Sequence, residues 1–125
     1  MDFKDFRFTK DHEWVRADGD EASVGITDFA VGELGDIVYL ELPKVGTEVK
    51  AKQSMGTIEA VKTVADLFAP VSGTVSAVNT NLEQHPDLVN QDPFGDGWFV
   101  RVKMKDRKEF DSLMDRAAYQ SMIGK

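Results

Sequence analysis

The chain has 125 residues, enough for one domain with a hydrophobic core of its own. Its 15 basic and 22 acidic residues leave a net charge of −7, which repels phosphate backbones and anionic lipid and argues against nucleic acid and membrane as partners. It has no cysteine, so disulfides, thiolate zinc sites, iron–sulfur clusters and a cysteine nucleophile are all excluded.

Short apolar runs follow one another at 13–16, 22–26, 37–42, 53–60, 64–69, 73–78 and 98–104. Asp18-Gly19, Pro43, Gly46, Pro70, Gly73, Asn79, Asn90 and Pro93 punctuate them. Runs of this length, rich in Val, Ile and aromatics and bounded by turn residues, predict a mainly β sandwich or barrel. Alternation is clearest in the last run, where Val100, Val102 and Met104 share one face and Arg101 and Lys103 the other. Between the second and third runs, Thr27 is placed to cap a short helix running through Gly32, and Gly35 to stop it. Thr80 with Glu83 reads as a capping box, and Pro86 ends that helix early.

Residues 1–105 thus read as a β core with short helices, and 106–125 as a C-terminal helical extension, all within one domain. In the extension, Asp106 with Glu109 resembles a capping box. Phe110, Leu113, Met114 and Ala117 follow at i, i+3, i+4 and i+7. Asp115 is placed to cap a second short helix carrying Tyr119, Met122 and Ile123. The stripe either covers an open side of the sandwich or receives a partner. No apolar run reaches the roughly 18 residues of a membrane span, and the N-terminus lacks the apolar stretch of a secretory signal, so a cytoplasmic location is expected.

Few residues offer chemistry. Asp11-His12-Glu13 has the residue types of an acid–base site, but no nucleophile elbow accompanies it, so His12 is expected to be structural. The segment from Asp92 to Gly97 imitates the start of a calcium loop. Phe94 and Lys103 occupy ligand positions, and a tight turn is the expectation. No glycine-rich phosphate loop is present, and two histidines without cysteine do not make a transition-metal site. Lys62 is different. It stands alone between two apolar runs, with Glu59 three residues before it and Asp66 four after. If those runs pair antiparallel, Lys62 sits at the bend with its amine pointing away from the domain. Such a charge either solubilises a hairpin tip or serves as an attachment point.

The words around Lys62 decide between these. Thr9-Lys-Asp-His-Glu-Trp-Val15, Val24-Gly-Ile-Thr-Asp-Phe-Ala30 and Leu34-Gly-Asp-Ile-Val-Tyr-Leu-Glu-Leu-Pro43 come first. Glu59-Ala-Val-Lys62, Ala69-Pro-Val-Ser-Gly-Thr-Val75, Val78-Asn79, Pro86-Asp-Leu-Val-Asn90 and Asp92-Pro-Phe-Gly-Asp-Gly-Trp98 follow in order. Together they resemble the H-protein family of the glycine cleavage system, over nearly the whole chain. The resemblance implies a lipoyl-type barrel-sandwich hybrid of two antiparallel sheets with short helices. It implies lipoate held in amide linkage on Lys62 of a carrier that is not itself an enzyme. The implied partners are glycine decarboxylase (P protein), which loads the arm with an aminomethyl group, and aminomethyltransferase (T protein), which unloads it to tetrahydrofolate. Dihydrolipoamide dehydrogenase (L protein) then reoxidises the dithiol, and a lipoyl or octanoyl transferase or a lipoate ligase installs the group. A monomer is expected.

The resemblance further implies that Glu13 and Asp66, with Asp11 nearby, lie close to the loaded arm, and that Glu59 takes part in recognition by the lipoylating enzyme. A carboxylate stabilises the cationic aminomethyl amine; the alternative for Glu13 and Asp66 is plain solvent exposure. The sequence departs from the family's usual Glu-Ser-Val-Lys-Ala, with Ala60 and Thr63 in place of Ser and Ala, and it has Phe29 where some members carry His. Ala60 leaves open an H-like lipoyl protein used in lipoate relay or sulfur transfer. A lipoyl domain of a 2-oxo-acid dehydrogenase is disfavoured by Val61-Lys62-Thr63 in place of Asp-Lys-Ala, and a biotin carrier by the lack of Met-Lys-Met.

Overall fold

A computed structural model describes residues 2–124. Among the described residues, nine strands form two antiparallel sheets, β1 (Phe6–Phe8), β2 (Glu13–Asp18), β3 (Glu21–Ile26), β4 (Ile37–Glu41), β5 (Glu48–Val49), β6 (Ser54–Ala60), β7 (Val64–Phe68), β8 (Gly73–Val78) and β9 (Val100–Met104). Six of them lie in the order β1-β2-β3-β9-β8-β5, and β4-β6-β7 make the second sheet. Period-2 alternation builds the interior. In β9, Val100, Val102 and Met104 are buried while Arg101 and Lys103 are exposed. Ile58 of β6 and Leu67 of β7 face Val15, Val24 and Val75 of the larger sheet within one apolar core. Burying each of these side chains contributes roughly 1.5–3 kcal/mol.

A second cluster, of Phe6, Phe8, Trp14 and Tyr119, closes the outer end of the six-stranded sheet. Trp14 pairs with Gly25 across β2 and β3, and its indole occupies the space a side chain at Gly25 would need. The indole N–H donates to the Pro93 carbonyl at 2.9 Å, so the large ring is buried without an orphan donor.

The helices are short. Thr27 caps α1 (Asp28–Leu34) by accepting from the Ala30 amide, and Gly35 ends it, both as expected. Three features differ from the sequence expectation. First, Thr80 opens a 3-10 turn, Thr80–Glu83, with no side-chain cap. The preceding Asn79 is committed to the carbonyls of Asp96 and Trp98. The turn ends before Pro86, and a further helix, α2 (Leu88–Gln91), follows it. Secondly, Asp106 caps α3 (Arg107–Asp111), but Glu109 does not complete a box. Its carboxylate accepts from the Ser72 amide at 2.8 Å and the Ser72 hydroxyl at 2.9 Å, which is a tertiary bond in place of a local one. Thirdly, the C-terminal stripe is not one helix face. After α3 the chain straightens so that Met114 bridges Phe8, and Ala117 is exposed. Asp115 then caps α4 (Arg116–Ile123), which buries Tyr119 and leaves Met122 exposed. The stripe thus divides: Phe110 joins the main core and Tyr119 the aromatic cluster. The segment from Asp92 to Gly97 is a tight turn, with the Asp92 side chain accepting from the Asp96 amide. No helix among the described residues is long and apolar enough to cross a membrane.

Candidate functional site

Strands β6 and β7 pair antiparallel, with Glu59 opposite Val64. The three residues 61–63 make the bend, and the Ala60 amide donates to the Thr63 carbonyl at 2.8 Å. Lys62 is exposed on this bend. Its ammonium has neither an ion pair nor a hydrogen bond among the described residues. Ala60, the departure from the family's usual Ser, is buried. Its methyl group points inward beside Ile58 and is 6 % exposed, where a hydroxyl would need a buried partner.

The bend rests on a support. The Val61 amide donates to the Asp36 carbonyl at 3.0 Å. Asp36 lies between two residues fixed by Asn90, whose amide donates to the Gly35 carbonyl at 2.9 Å and whose carbonyl accepts from the Ile37 amide at 3.0 Å. The Lys62 stem runs past Gly35, where an added methyl would sit 3.5 Å from Cε and 3.8 Å from Nζ. Gly35 has φ 79° and ψ −152°, a conformation largely reserved for glycine. The backbone below the lysine is thus held by hydrogen bonds, while the amine above it has no partner among the described residues.

The acidic candidates fall into two groups. Glu59 and Asp66 are exposed on the outer face of the β6–β7 hairpin. Glu13 and Asp11 lie elsewhere, in a cleft of about 450 Å³ that Phe68, Pro70 and Met114 also line. Glu13 is not solvent-exposed. It is 2 % exposed, accepts the Thr9 hydroxyl at 2.6 Å and accepts the Phe68 amide at 3.3 Å. Burial pushes its carboxyl up to about 7, against those two hydrogen bonds, with the Asp11 charge adding a little in the same direction as burial. Near neutral pH it exists in both protonation states. Phe68 ends β7 and Lys62 precedes it, so the lysine and Glu13 meet opposite ends of one strand, about 20 Å apart along six residues. Lys62, Glu59 and Asp66 share a hairpin, Asp11 and Glu13 share a cleft, and β7 connects the two.

His12 does not form an acid–base site with its neighbours. The Glu13 carboxyl turns to Thr9 and Phe68, whereas His12 Nδ1 meets the Tyr119 hydroxyl at 2.9 Å and its ring packs on Phe29. Sequence reasoning missed Thr9, Phe68, Asn90 and Tyr119 as supports. Thr9 stands four residues from its partner Glu13 within one motif word, whereas the partners of Asn90, Phe68 and Tyr119 lie far along the chain.

A small two-sheet sandwich that displays a solitary lysine on the hairpin bend of its three-stranded sheet is a lipoyl-type fold. A crystal structure of a glycine cleavage system H protein from Mycobacterium marinum superposes with a TM-score of 0.89 at 39% identity, covering 97% of this chain and 98% of that one. Residues 6–125 match the family described as Glycine cleavage H-protein. The chain is 57% identical over 122 residues to the glycine cleavage system H protein of Chlorobium phaeovibrioides, covering 96% of this chain and 95% of the relative. It is 52% identical over 119 residues to a probable glycine cleavage system H protein of Haloarcula marismortui, covering 95% and 94%. The chain belongs to the glycine cleavage H-protein family, whose members carry lipoate in the glycine cleavage system.

Proposed function

We propose that Lys62 carries the lipoyl group and that the chain is a non-catalytic, single-domain, monomeric carrier in the cytoplasm. It serves the P, T and L proteins of glycine cleavage. The observation that carries this reading is the unpartnered Lys62 amine on a bend pinned by Asn90. For attachment, Nζ loses a proton and attacks the carbonyl of an activated acyl donor. The C–N amide bond forms, the donor's leaving group departs with its electron pair, and a second proton is released. Once attached, the group supplies a redox-active disulfide that accepts and releases the aminomethyl unit.

The protein's part is positional. The bend fixes where the arm starts, and tethering presents its tip to each partner at an effective concentration of order millimolar. The outer face of β7 provides a path from Lys62 past Asp66 to the cleft holding Glu13 and Asp11. In that cleft, Glu13 exchanges a proton near pH 7 and offers a carboxylate to a cationic amine, while the walls of the cleft limit access of water to the group.

Expression in cells supplied with lipoate, followed by intact-mass measurement and peptide mapping, tests the reading. The expected result is the mass of one lipoyl group on the peptide containing Lys62. Lys62→Arg is expected to abolish the gain and all glycine-cleavage activity with the fold unchanged. A mass gain that survives this substitution refutes the assignment.

A further inference from the structure

Among the described residues β5 pairs with β8 alone, so one edge of the six-stranded sheet is open. The Val75 amide donates to the Thr47 carbonyl at 2.9 Å. Antiparallel alternation then turns the amide and carbonyl of Glu48 away from β8, toward the open edge. A groove of about 1280 Å³ runs along this edge. Val49 and Met104, both buried, and the half-buried Met55 give it an apolar floor. Lys50, Lys103 and Lys105 stand exposed around it, a cationic rim on a chain of net charge −7. Most of the groove's acids are already engaged. Glu109 accepts from the Ser72 amide and hydroxyl, and Asp106 accepts from the Lys108 amide at 3.0 Å. Glu48 is the one remaining acid of the lining, and none of the three lysines has an ion pair among the described residues.

We propose that this open edge docks an extended acidic segment of a partner protein, added as a strand beside β5. The outward backbone groups of Glu48 accept a strand, and main-chain hydrogen bonds supply affinity. The apolar floor and the cationic rim fit a segment whose side chains alternate between aliphatic and carboxylate. Lysines on an open edge repel cationic strands, and the same lysines on a second copy repel that copy. An acidic segment meets no such barrier, and the unpaired ammonium groups steer it in. The groove also adjoins the Glu13 cleft. Lys50, Ala51 and Gln53 line the groove, and Lys52, in the same turn, lines the cleft. That turn is fastened to Ala69, whose carbonyl accepts from the Lys52 amide at 2.8 Å and whose amide donates to the Gln53 carbonyl at 2.9 Å. The seven residues of β6 separate the groove from the Lys62 bend, about 20 Å. In the carrier reading, on which this last consequence rests, an enzyme held in the groove lies beside the cleft and leaves the lysine uncovered.

The test uses the full-length apo protein and a fluorescein-labelled, acetylated peptide of four Glu-Val repeats, with binding followed by anisotropy. Saturable binding that weakens as salt rises is expected. Hydrogen exchange at the Glu48 and Lys50 amides is expected to slow when the peptide is present. The double variant Lys50→Glu, Lys105→Glu is expected to bind about tenfold more weakly at an unchanged thermal midpoint. If that variant unfolds earlier than the parent, Lys50→Gln, Lys105→Gln takes its place, with about threefold weakening expected. A peptide of the same charge, N-methylated at each Val, is expected not to bind, because it cannot pair as a strand. Equal binding of the methylated peptide, or its displacement by inorganic phosphate at matched ionic strength, means an anion site without a strand and overturns the proposal. So does the absence of saturable binding, or unchanged binding in both lysine variants. A parent dimer in sedimentation that the lysine variants dissociate also overturns it, in favour of a second copy. The peptide assay needs no lipoyl group, so a parent chain that gains no lipoyl mass refutes the carrier reading alone.

Discussion

The Tyr119 hydroxyl lies 2.9 Å from His12 Nδ1, joining the C-terminal helix to a loop 107 residues earlier in the chain. The same hydroxyl lies 2.7 Å from the Thr27 hydroxyl, which also accepts the Ala30 amide as the cap of α1. One phenol therefore ties α4, α1 and the loop leading to Glu13. Tyr119 and Thr27 are fully buried, so removing the hydroxyl strands polar groups in the interior. Tyr119→Phe is expected to cost about 1–3 kcal/mol. Urea unfolding should show a lower midpoint with an unchanged slope. A midpoint equal to that of the parent would mean that water replaces the phenol at no cost.

Glu13 gives the protein a pH-dependent stability of known sign. Its folded carboxyl titrates at about 7 against an ordinary value of 4.5. Between those values the folded state holds more protons than the unfolded chain. Stability therefore falls as pH rises through this window, by up to about 3 kcal/mol from this group, and is level above it. Gln reproduces the shape and hydrogen bonds of the protonated acid. Glu13→Gln is expected to remove that slope and to be more stable than the parent at pH 8. Unfolding curves collected from pH 4.5 to 8 check this, and a parallel slope in the variant assigns the effect to another group. The same substitution removes the buried carboxylate of the cleft and leaves only that of Asp11, so the loaded form is expected to lose its aminomethyl group to water faster.

Asn90 holds the support beneath Lys62 through both ends of its side-chain amide. Ile37 is 3 % exposed, and its amide has the Asn90 carbonyl as partner. Asn90→Ala is expected to destabilise by about 1–3 kcal/mol through that orphaned donor. Hydrogen exchange at the Val61 amide, bonded to Asp36 between the two clamped residues, should quicken more than at amides of β9. Uniform acceleration across the chain would show that Asn90 supports the fold as a whole and not the bend.

The parts of this fold readable from sequence are those specified locally. Thr27, Asp106 and Asp115 are followed within three residues by the amides they cap, and all three were legible. The seven longer strands were legible because Gly, Pro, Asp and Asn bound them; β1 and β5, with three and two residues, are too short to show a period. Glu109 failed as a capping residue because Ser72, 37 residues away, offers two donors that a local cap cannot match. The site divides the same way. The lysine at a bend follows from two apolar runs and their gap. The burial of Glu13 depends on Phe68, 55 residues distant, and the support from Asn90 on Gly35, again 55 residues distant; no pattern near either residue announces them.

Gly35 combines both kinds of constraint. It ends α1, its φ of 79° with ψ −152° lies where a side chain is strained, and its Cα faces the Lys62 stem. A methyl here meets Cε at 3.5 Å, an ordinary contact, so the strain comes from the backbone and not from crowding. Gly35→Ala is therefore expected to destabilise by about 1–3 kcal/mol. Relaxation of that strain moves the 35–37 segment and, through the Asp36 carbonyl, the bend itself. The expected consequence is slower acylation of Lys62 at a temperature where the variant is still fully folded. Thermal unfolding combined with the rate of lipoyl mass gain separates the two effects. Lower stability with an unchanged rate would mean that the lysine's presentation is independent of the conformation at Gly35.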